Sequence, residues 1–386
     1  MALFDQVDKD GLLEYSVVFN DRSLNSMSKS FQGVMRDLSV GLKSAYNAEA
    51  SILVPGGGTF GMEAIARQFG TDAKCLVIRN GWFSFRWSEI FEKGRISSDT
   101  KVLYARQQHA EAGANTRQPF APSPLADIQQ QIADYAPDVV CAPHVETSAG
   151  MVLPDDYIAG IAMAAHQAGA IFVLDCVASG ALYVDMAGLG VDVLLTAPQK
   201  GWTASPCAGV IMLGAGGLDR IEKTTSTSYA ADLKKWLSIM QAYEKGGHAY
   251  HATMPTDGLR LFRDAVHETR DIGFALVKQA QIDLGARMRT LTESYGFVSV
   301  AAEGFKAPSV IVNFTDDPDM KSGKKFIEAG VQIAAGVPLE IGESADYMSF
   351  RIGLFGLDKL MNIDRTVDSF DAALKQTIGT RTIHCG

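Results

Sequence analysis

The sequence has few cysteines, and none of them forms a pair with metal-ligand spacing. Its five cysteines, Cys75, Cys141, Cys176, Cys207 and Cys385, are odd in number and widely separated. Disulfide frameworks use an even set of cysteines in a short secreted chain, and zinc ribbons use CxxC pairs. We therefore expect reduced thiols, no disulfide framework and no bound metal.

Long apolar runs and an excess of positive charge are also missing. No stretch of about 18 uncharged apolar residues occurs, and residues 1–16, MALFDQVDKDGLLEYS, carry charges instead of the apolar core of a signal peptide. The chain has 35 Lys and Arg against 44 Asp and Glu, a net charge of −9, whereas nucleic-acid binding depends on clustered cations. We expect a cytoplasmic protein that binds neither membranes nor nucleic acid.

What the chain does contain is apolar material for a large core and many glycines. Hydrophobic residues make up 47% of its 386 residues, a length that suits two to three domains at about 150 residues each. Its 37 glycines exceed the usual share of about 7%, which is typical of the tight loops of α/β enzymes.

Short runs rich in Val, Ile and Leu alternate with helical segments from residue 50 onward. This alternation is typical of βαβ units and predicts an α/β fold with a mostly parallel seven-stranded sheet flanked by helices. Apolar spacing predicts helices over 61–69 and 124–136. The predicted strands span residues 50–56, 74–81, 101–106, 138–146, 171–179, 192–198 and 208–214.

The pattern changes after about residue 265. A long predicted helix over 258–294 is followed by the short segments GFVSVA, SVIVNF, VQIAAG and YMSFRIGLF and by a closing helix. We predict an N-terminal segment (1–30), a large domain (31–265) and a smaller C-terminal α+β domain (266–386), with the long helix as the hinge between the two domains.

Asp175 ends the apolar run at the start of the predicted strand 171–179, and Lys200 follows the next predicted strand. The carboxyl ends of strands are where α/β sheets bind ligands. A carboxylate there can keep a heteroaromatic nitrogen protonated, and a lysine can form a Schiff base with an aldehyde; an enzyme that uses pyridoxal phosphate (PLP) needs both groups. Taken singly, Lys200 also fits a solvated loop lysine and Asp175 a helix cap.

A glycine-rich turn, PGGGTFGMEAI (55–65), lies between a predicted strand and an amphipathic helix. Its backbone N–H groups at Gly57, Gly58 and Thr59, together with the positive end of the helix, could receive a phosphate. The turn matches neither GxGxxG nor GxxxxGK[ST], and a simple tight turn explains it equally well.

Further motifs share the order and spacing of a known family. They are NGWFSFRW (80–87), ETSAG (146–150), Gln199-Lys200, AYHAT (249–253) and FRIGLFG (350–356). Together with the glycine-rich turn and Asp175, they make residues 50–375 resemble the class V aminotransferases of the fold-type I PLP enzymes, and among them the alanine– or serine–glyoxylate aminotransferases. The resemblance implies a homodimer with shared active sites and PLP as its cofactor.

The resemblance also implies a role for each matching residue. Lys200 would carry the cofactor aldehyde, and Asp175 would face the pyridinium nitrogen. Val177 would pack on one face of the ring, while Phe83, or its neighbour Trp82, would stack on the other. The remaining cofactor contacts would come from Thr147 or Ser148 at the ring edge and from Gln199, Gly57, Gly58 and Thr59 beside the phosphate.

Two motifs imply contacts with a partner subunit and with substrate. Tyr250 and Thr253 would reach the phosphate of the partner's cofactor, although a core tyrosine and a helix N-cap also fit. Arg351 lies in an apolar strand, where a guanidinium is costly to bury without an anion; it would hold a substrate carboxylate, unless it is an edge-strand arginine that reaches solvent. His144 and Glu146 could lie at the mouth of the site, but a hydrogen-bonded structural histidine is the commoner case.

The N-terminal segment departs from the family pattern. Residues 13–28, LEYSVVFNDRSLNSMS, lack the Gly-Pro element that lies near the substrate pocket in typical members. Arg22, with Asn20 and Ser23, could line the substrate pocket instead, and Arg22 could recognise a second acidic group on the substrate. A surface loop is the commoner place for such polar residues.

We therefore expect a ping-pong aminotransferase that moves an amino group from a small amino acid, such as alanine or serine, to a 2-oxo acid such as glyoxylate or pyruvate. One alternative is a PLP-dependent lyase such as a desulfurase, which is disfavoured because no cysteine lies between Cys207 and Cys385. Another is a binding module without catalysis, in which Lys200, Asp175 or Arg351 should have been lost.

Overall fold

The computed structural model describes residues 7–8, 12–108 and 117–379, so Cys385 lies outside the described residues. The other four cysteines are buried with free thiols. Over the described ranges, every helix is too short or too polar to cross a membrane.

Fourteen strands make up the sheets of the described chain. In chain order they are β1 (Ala50–Pro55), β2 (Lys74–Arg79), β3 (Asp99–Tyr104), β4 (Arg106–Gln107), β5 (Phe120–Ala121), β6 (Val139–Pro143), β7 (Val145–Glu146), β8 (Met151–Val152), β9 (Ile171–Asp175), β10 (Val193–Thr196), β11 (Ala208–Leu213), β12 (Val310–Phe314), β13 (Ala334–Ala335) and β14 (Ser349–Gly353).

Fourteen helices accompany them. They are α1 (Lys29–Tyr46), α2 (Gly58–Phe69), α3 (Trp82–Lys93), α4 (Leu125–Tyr135), α5 (Asp155–Gln167), α6 (Met186–Leu189), α7 (Ala215–Lys223), α8 (Leu233–Glu244), α9 (Thr256–Ile272), α10 (Phe274–Ser294), α11 (Pro318–Ser322), α12 (Lys324–Glu328), α13 (Leu357–Leu360) and α14 (Ile363–Ile378). The predicted helices over 61–69 and 124–136 correspond to α2 and α4.

A seven-stranded sheet forms the centre of the fold, in the order β1-β11-β10-β9-β6-β2-β3. The pairs β10–β9, β9–β6, β6–β2 and β2–β3 are parallel, while β11 runs antiparallel to β1 and β10. The α/β fold with a mostly parallel seven-stranded sheet is confirmed. The segment predicted as one strand over 138–146 is divided into β6 and β7, and the strand predicted over 171–179 already ends at Asp175.

Burial explains why these runs form the middle of the sheet. Every residue of β6, β9, β10 and β11 is buried, as continuous apolar runs require when a sheet is covered on both faces. The helices α2, α3, α5 and α8 pack against β11, β2, β9 and β1, respectively. The carboxyl ends of the parallel strands lie together at one edge of the sheet, where these helices do not cover them.

The single long helix predicted over 258–294 is wrong. The chain forms two helices, α9 and α10, that meet at Gly273, whose φ of 106° cannot continue a right-handed helix. The predicted boundary between residues 265 and 266 falls inside α9. The three-part division of the chain stays a prediction.

A second, three-stranded sheet lies in the C-terminal part, in the antiparallel order β12-β14-β13. It packs with α10, and α10 packs with α14, which agrees with an α+β arrangement. Two of the short segments named from the sequence form little strand. Residues 296–301 make only isolated bridges at Ser299 and Ala301, and residues 331–336 contribute only the two residues of β13.

Candidate active site

The site begins at the carboxyl ends of three neighbouring strands. Asp175 is the last residue of β9, and Pro143, at the end of β6, lies opposite it in the parallel register. The chain leaving β10, the other neighbour of β9, leads to Gln199 and Lys200. Parallel strands bring these ends to one edge, so residues far apart in sequence meet there.

A cavity of about 250 Å³ lies at this edge. Its walls combine the ends of β6 and β9, the start of α2, the start of α3 and the turn after β10. The lining residues are Gly58, Thr59, Met62, Phe83, Ser84, Arg86, Pro143, Val145, Thr147, Asp175, Val177, Ala178, Gln199 and Lys200.

Lys200 is partly buried in this cavity. Its Nζ lies 4.9 Å from the centre of the Phe355 ring. Burial lowers the pKa of Lys200 below its ordinary value, and the positive charges of Arg351 and Arg86 lower it further. An amine with a lowered pKa spends more time unprotonated, which is the form that attacks carbonyl groups and accepts protons.

Asp175 is buried on the same cavity wall, with its Oδ1 accepting a hydrogen bond of 3.0 Å from the Val177 N–H. Burial raises the pKa of Asp175 to about 6; the Val177 N–H and Arg86 lower it, and the Glu146 carboxylate raises it. A buried carboxylate with a raised pKa is stabilised by a cation opposite it. Asp175 is therefore suited to face a protonated ring nitrogen.

The walls between these two groups suit a flat ring. Val177 stands on one side, where a Cβ on Gly58 would lie 2.9 Å from its Cγ2, so only glycine leaves this approach open. Phe83 stands in the lining as well. Trp82, the competing candidate for the stacking position, is outside the lining and packs edge-on against Phe85 with ring centres 6.1 Å apart.

The glycine-rich turn closes one end of the cavity. Gly56 has a φ of 125°, a conformation that side chains rarely permit, and Gly57 is the N-cap of α2. Gly58 and Thr59 then line the cavity at the N-terminus of this helix, where N–H groups and the helix dipole favour an anion. The buried Gln199 Oε1 has no hydrogen-bond partner among the residues that the structure describes, so a donor from a bound group would satisfy it.

Of the two ring-edge candidates, the structure brings only one to the cavity. Thr147 lines it. Ser148 is fully buried, and its hydroxyl donates to Glu146 Oε1 at 2.7 Å and accepts from the Trp82 N–H at 3.0 Å. Glu146 is itself fully buried, so the expectation that it lies at the mouth of the site is wrong.

Arg351 lies on β14 and reaches toward the cavity from the second sheet. Its guanidinium carbon is 5.3 Å from the centre of the Phe83 ring, and its Nε donates to the Ala335 carbonyl at 2.8 Å. Only 9% of the residue is exposed, so it does not point into solvent. Burial lowers its pKa, while Glu146 and Tyr347 raise it.

Arg351 is not itself part of the cavity lining, and several other candidates are outside it as well. Arg22 belongs to an exposed turn, where its N–H donates to Asn20 Oδ1. Tyr250 is 61% exposed, and its hydroxyl lies 3.2 Å from that of Thr253. His144 is a structural histidine, since its Nδ1 lies 2.8 Å from Ser179 Oγ and burial lowers its pKa to about 3.

One charged residue of the cavity lining was not predicted from the sequence. Arg86 lines the cavity, with its guanidinium 4.7 Å from the Phe83 ring centre and its Nη1 3.3 Å from Thr59 Oγ1. Helical periodicity could have indicated Arg86, because residues three apart lie on one face of a helix and Phe83 was already a candidate. With Lys200 and Arg351, it gives the cavity a positive character suited to an anionic ligand.

Fold and cavity together define a PLP-dependent transferase of fold type I. The family model "Aminotransferase class-V" matches residues 100–338, well over half of the chain. The chain therefore belongs to the class V aminotransferase family and is a PLP-dependent aminotransferase, which transfers an amino group to a 2-oxo acid.

Individual proteins are similar to this chain over most of their length. The 2-aminoethylphosphonate–pyruvate transaminase of Syntrophobacter fumaroxidans is 26% identical, over 87% of this chain and 84% of that protein. A Burkholderia lata enzyme of the same name is 28% identical over 86% and 85%. In structure, the chain is similar to the alanine–glyoxylate aminotransferase from Nostoc sp., with a TM-score of 0.77 and 20% identity over 92% of this chain and 89% of the other.

Proposed function

We propose that the cavity is the PLP site and that Lys200 is the residue to which the cofactor is attached. The observation that carries this proposal is that Lys200 and Asp175 line one cavity with Phe83 and Val177. Asp175 would face the ring nitrogen, and Phe83 and Val177 would hold the two ring faces. The other proposed cofactor contacts are Thr147 at the ring edge and Gly58, Thr59 and Gln199 at the phosphate end, with Gly57 as the cap of α2.

When bound, PLP supplies a ring that draws electrons from the substrate carbon that bears the amine. The residues of this chain bind and orient it and move the proton. The Asp175 carboxylate would keep the ring nitrogen protonated, because the pair relieves the cost of burying the charge. The Lys200 amine, whose pKa is lowered, would accept a proton from the substrate carbon and return it.

We propose that the substrate is a small amino donor with an acidic group, which Arg351 binds. Its guanidinium is buried beside Phe83, and its recorded hydrogen bond uses Nε, so its two Nη groups can form the paired bonds that a carboxylate or phosphonate accepts. Alanine and serine fit this description, and so does the 2-aminoethylphosphonate named for the relatives. Pyruvate or glyoxylate would be the acceptor.

The assembly that we propose is a homodimer with shared sites, in the cytoplasm. Tyr250 and Thr253 are exposed and lie outside the cavity lining of their own chain, as residues that act across a two-fold axis would. The thiols of the described cysteines are free, which suits a reducing compartment.

The cofactor proposal is tested by absorbance. The purified protein supplied with PLP should show a visible band that survives gel filtration, and Lys200→Ala should lose this band because the attachment is lost. Lys278→Ala, at a lysine of α10 outside the cavity lining, is the matched control and should keep the band. A band that persists unchanged in Lys200→Ala would refute the attachment.

The substrate proposal needs a second measurement on the same protein. Alanine, serine and 2-aminoethylphosphonate are each added, and a competent donor should bleach the band, after which pyruvate or glyoxylate should restore it. Restoration without loss of ammonia indicates transamination. Release of ammonia over many turnovers, with the band retained and no 2-oxo acid added, would instead indicate a lyase.

A further inference from the structure

The N-terminus of α3 is held by an unusual buried network. Five consecutive backbone N–H groups, from residue 80 to residue 84, each donate to a side chain and none to the backbone. The bonds run from Asn80 N and Gly81 N to Ser84 Oγ (2.9 and 3.1 Å), from Trp82 N to Ser148 Oγ (3.0 Å), from Phe83 N to Glu146 Oε1 (3.1 Å) and from Ser84 N to Glu146 Oε2 (2.9 Å).

Glu146 is the centre of this network. Besides the two helix N–H groups, its Oε1 accepts from the Ser148 N–H at 3.1 Å and the Ser148 hydroxyl at 2.7 Å, and its Oε2 lies 2.7 Å from the Ser84 hydroxyl. Both oxygens are thus engaged. The residue is fully buried, and among the described residues no lysine, arginine or histidine forms an ion pair with it. Directed N–H and O–H groups take the place of a directly paired cation.

The network joins two walls of the cavity. One wall is Phe83 at the start of α3, and the other is Thr147 between Glu146 and Ser148; both line the cavity, whereas Glu146 and Ser148 do not. The two segments touch closely, since a Cβ on Gly81 would lie 2.8 Å from Glu146 Cγ. A single carboxylate therefore sets where the ring-stacking residue and the ring-edge residue stand relative to each other.

We infer that Glu146 is a positioning residue of this aminotransferase, which holds Phe83 and Thr147 against the ring of the cofactor. The inference rests on the proposed location of the cofactor. It assigns Glu146 to the ring end of the site. The phosphate end, at the N-terminus of α2, is built from other segments.

The isosteric substitution Glu146→Gln shows why this role needs a carboxylate. An amide has one acceptor oxygen, and its NH₂ group donates. If NH₂ replaces Oε1, the N–H groups of both Phe83 and Ser148 lose their acceptor; if it replaces Oε2, the Ser84 N–H does. Each orientation leaves at least one buried donor facing another donor, so the start of α3 must shift.

The test compares the affinities of wild type and Glu146→Gln for PLP and for pyridoxal, which lacks the phosphate. Removal of a charged acceptor from buried donors is expected to weaken binding by about tenfold to a hundredfold. Because the effect acts on the ring, the factor should be the same for both ligands. The visible circular dichroism of the bound cofactor should also change, since it reports how the ring is held.

Glu343→Gln is the matched control. The Glu343 carboxylate likewise accepts backbone N–H groups, those of Leu339, Glu340 and Ile341, but it does not line the cavity. The Glu343→Gln variant should differ from wild type in thermal stability but not in its affinity for PLP or for pyridoxal. If Glu146→Gln does not fold, Ser148→Ala replaces it, because this variant removes the link between Glu146 and the Trp82 N–H. It is judged in the same way, by the factor by which the affinity for PLP and the affinity for pyridoxal fall.

Three outcomes overturn the inference. The first is unchanged affinity for both ligands, with or without a lower melting temperature, because Glu146 would then be only a helix cap. The second is a loss of affinity for PLP but not for pyridoxal, which would show that Glu146 acts at the phosphate end of the site. The third is the same loss of affinity in Glu343→Gln. If wild type itself binds no cofactor through Lys200, the proposed function fails instead, and the two failures are thus distinguishable.

Discussion

At the scale of the residue, the two charged groups of the cavity are shifted in opposite directions by one cause. Burial disfavours a charge of either sign, so it raises the pKa of Asp175 to about 6 and lowers the pKa of Lys200. Both shifts are unfavourable for the cofactor-free protein, and a cationic ring nitrogen opposite Asp175 would relieve one of them. Cofactor binding and folding stability are therefore linked at this carboxylate.

The substitution Asp175→Asn tests this link. The folded state holds the Asp175 proton more tightly than the unfolded state does, because the pKa rises from 3.8 to about 6. The stability of the cofactor-free wild type should therefore fall as the pH rises through this window, by about 3 kcal/mol in total. Asp175→Asn should raise the free energy of unfolding by about that amount at pH 8 and by little at about pH 4, while it weakens cofactor binding.

Urea unfolding of the cofactor-free protein at the two pH values measures this effect. Asp192→Asn is the control, at a buried aspartate that accepts from the Phe172 N–H and lies 2.8 Å from His166 Nε2. Because Asn would weaken the hydrogen bonds that the Asp192 side chain accepts, this substitution should not stabilise the protein. If the stability of wild type does not fall between pH 4 and pH 8 relative to that of Asp175→Asn, the raised pKa of Asp175 is contradicted.

At the scale of the element, the sequence predicted the sheet well because its signal is local. Continuous apolar runs separated by helical periods are sufficient to place β1, β2, β3, β6, β9, β10 and β11 within a few residues. Asp175 and Lys200 could be assigned to one edge for the same reason, since Asp175 ends the apolar run of one predicted strand and Lys200 follows the next. Phe83 could be preferred to Trp82 only through the family resemblance, and the structure now shows Phe83 in the lining.

What the sequence could not predict depends on contacts between distant segments. Glu146 looked like a polar residue at the end of a strand, because its partners Phe83 and Ser84 lie more than sixty positions away. The break between α9 and α10 was missed because a glycine inside an apolar helical pattern can also continue the helix. Its positive φ is visible only in the folded chain.

Two glycine-to-alanine substitutions with opposite expected effects on stability test where the helices break and where they continue. Gly273→Ala should destabilise the protein by about 1–2 kcal/mol, because alanine disfavours the φ of 106°. Gly33→Ala lies within α1, where an added Cβ meets nothing within 4 Å. It should stabilise by about 0.5–1 kcal/mol, since glycine is the poorer helix former.

Chemical denaturation with matched m-values measures both changes. Equal effects of the same sign at residues 273 and 33 would contradict the assignment of a helix break at one position and a regular helix at the other. A destabilised Gly273→Ala protein should keep its cofactor band, because residue 273 lies outside the cavity lining.

At the scale of the whole molecule, two large aromatic side chains are exposed on the described chain. Phe60 is 62% exposed and follows Thr59, which lines the cavity, and Tyr250, outside the cavity lining, is 61% exposed. Exposed apolar surface next to a functional cavity, as at Phe60, is typical of an interface. A two-fold partner that brings its own Tyr250 and Thr253 to the phosphate end would cover this surface.

Subunit mixing distinguishes contacts within a subunit from contacts across the interface. In a heterodimer of Lys200→Ala and a Tyr250→Phe/Thr253→Ala double variant, one site lacks its lysine. The other site keeps Lys200 and, if Tyr250 and Thr253 act across the interface, receives both of them intact from the Lys200→Ala chain. The purified heterodimer of two 41.5 kDa chains should therefore bind one cofactor with wild-type affinity, although neither parent homodimer does.

If Tyr250 and Thr253 act within their own subunit, the heterodimer would bind cofactor no more tightly than the double variant, because its only lysine-bearing site would lack both side chains.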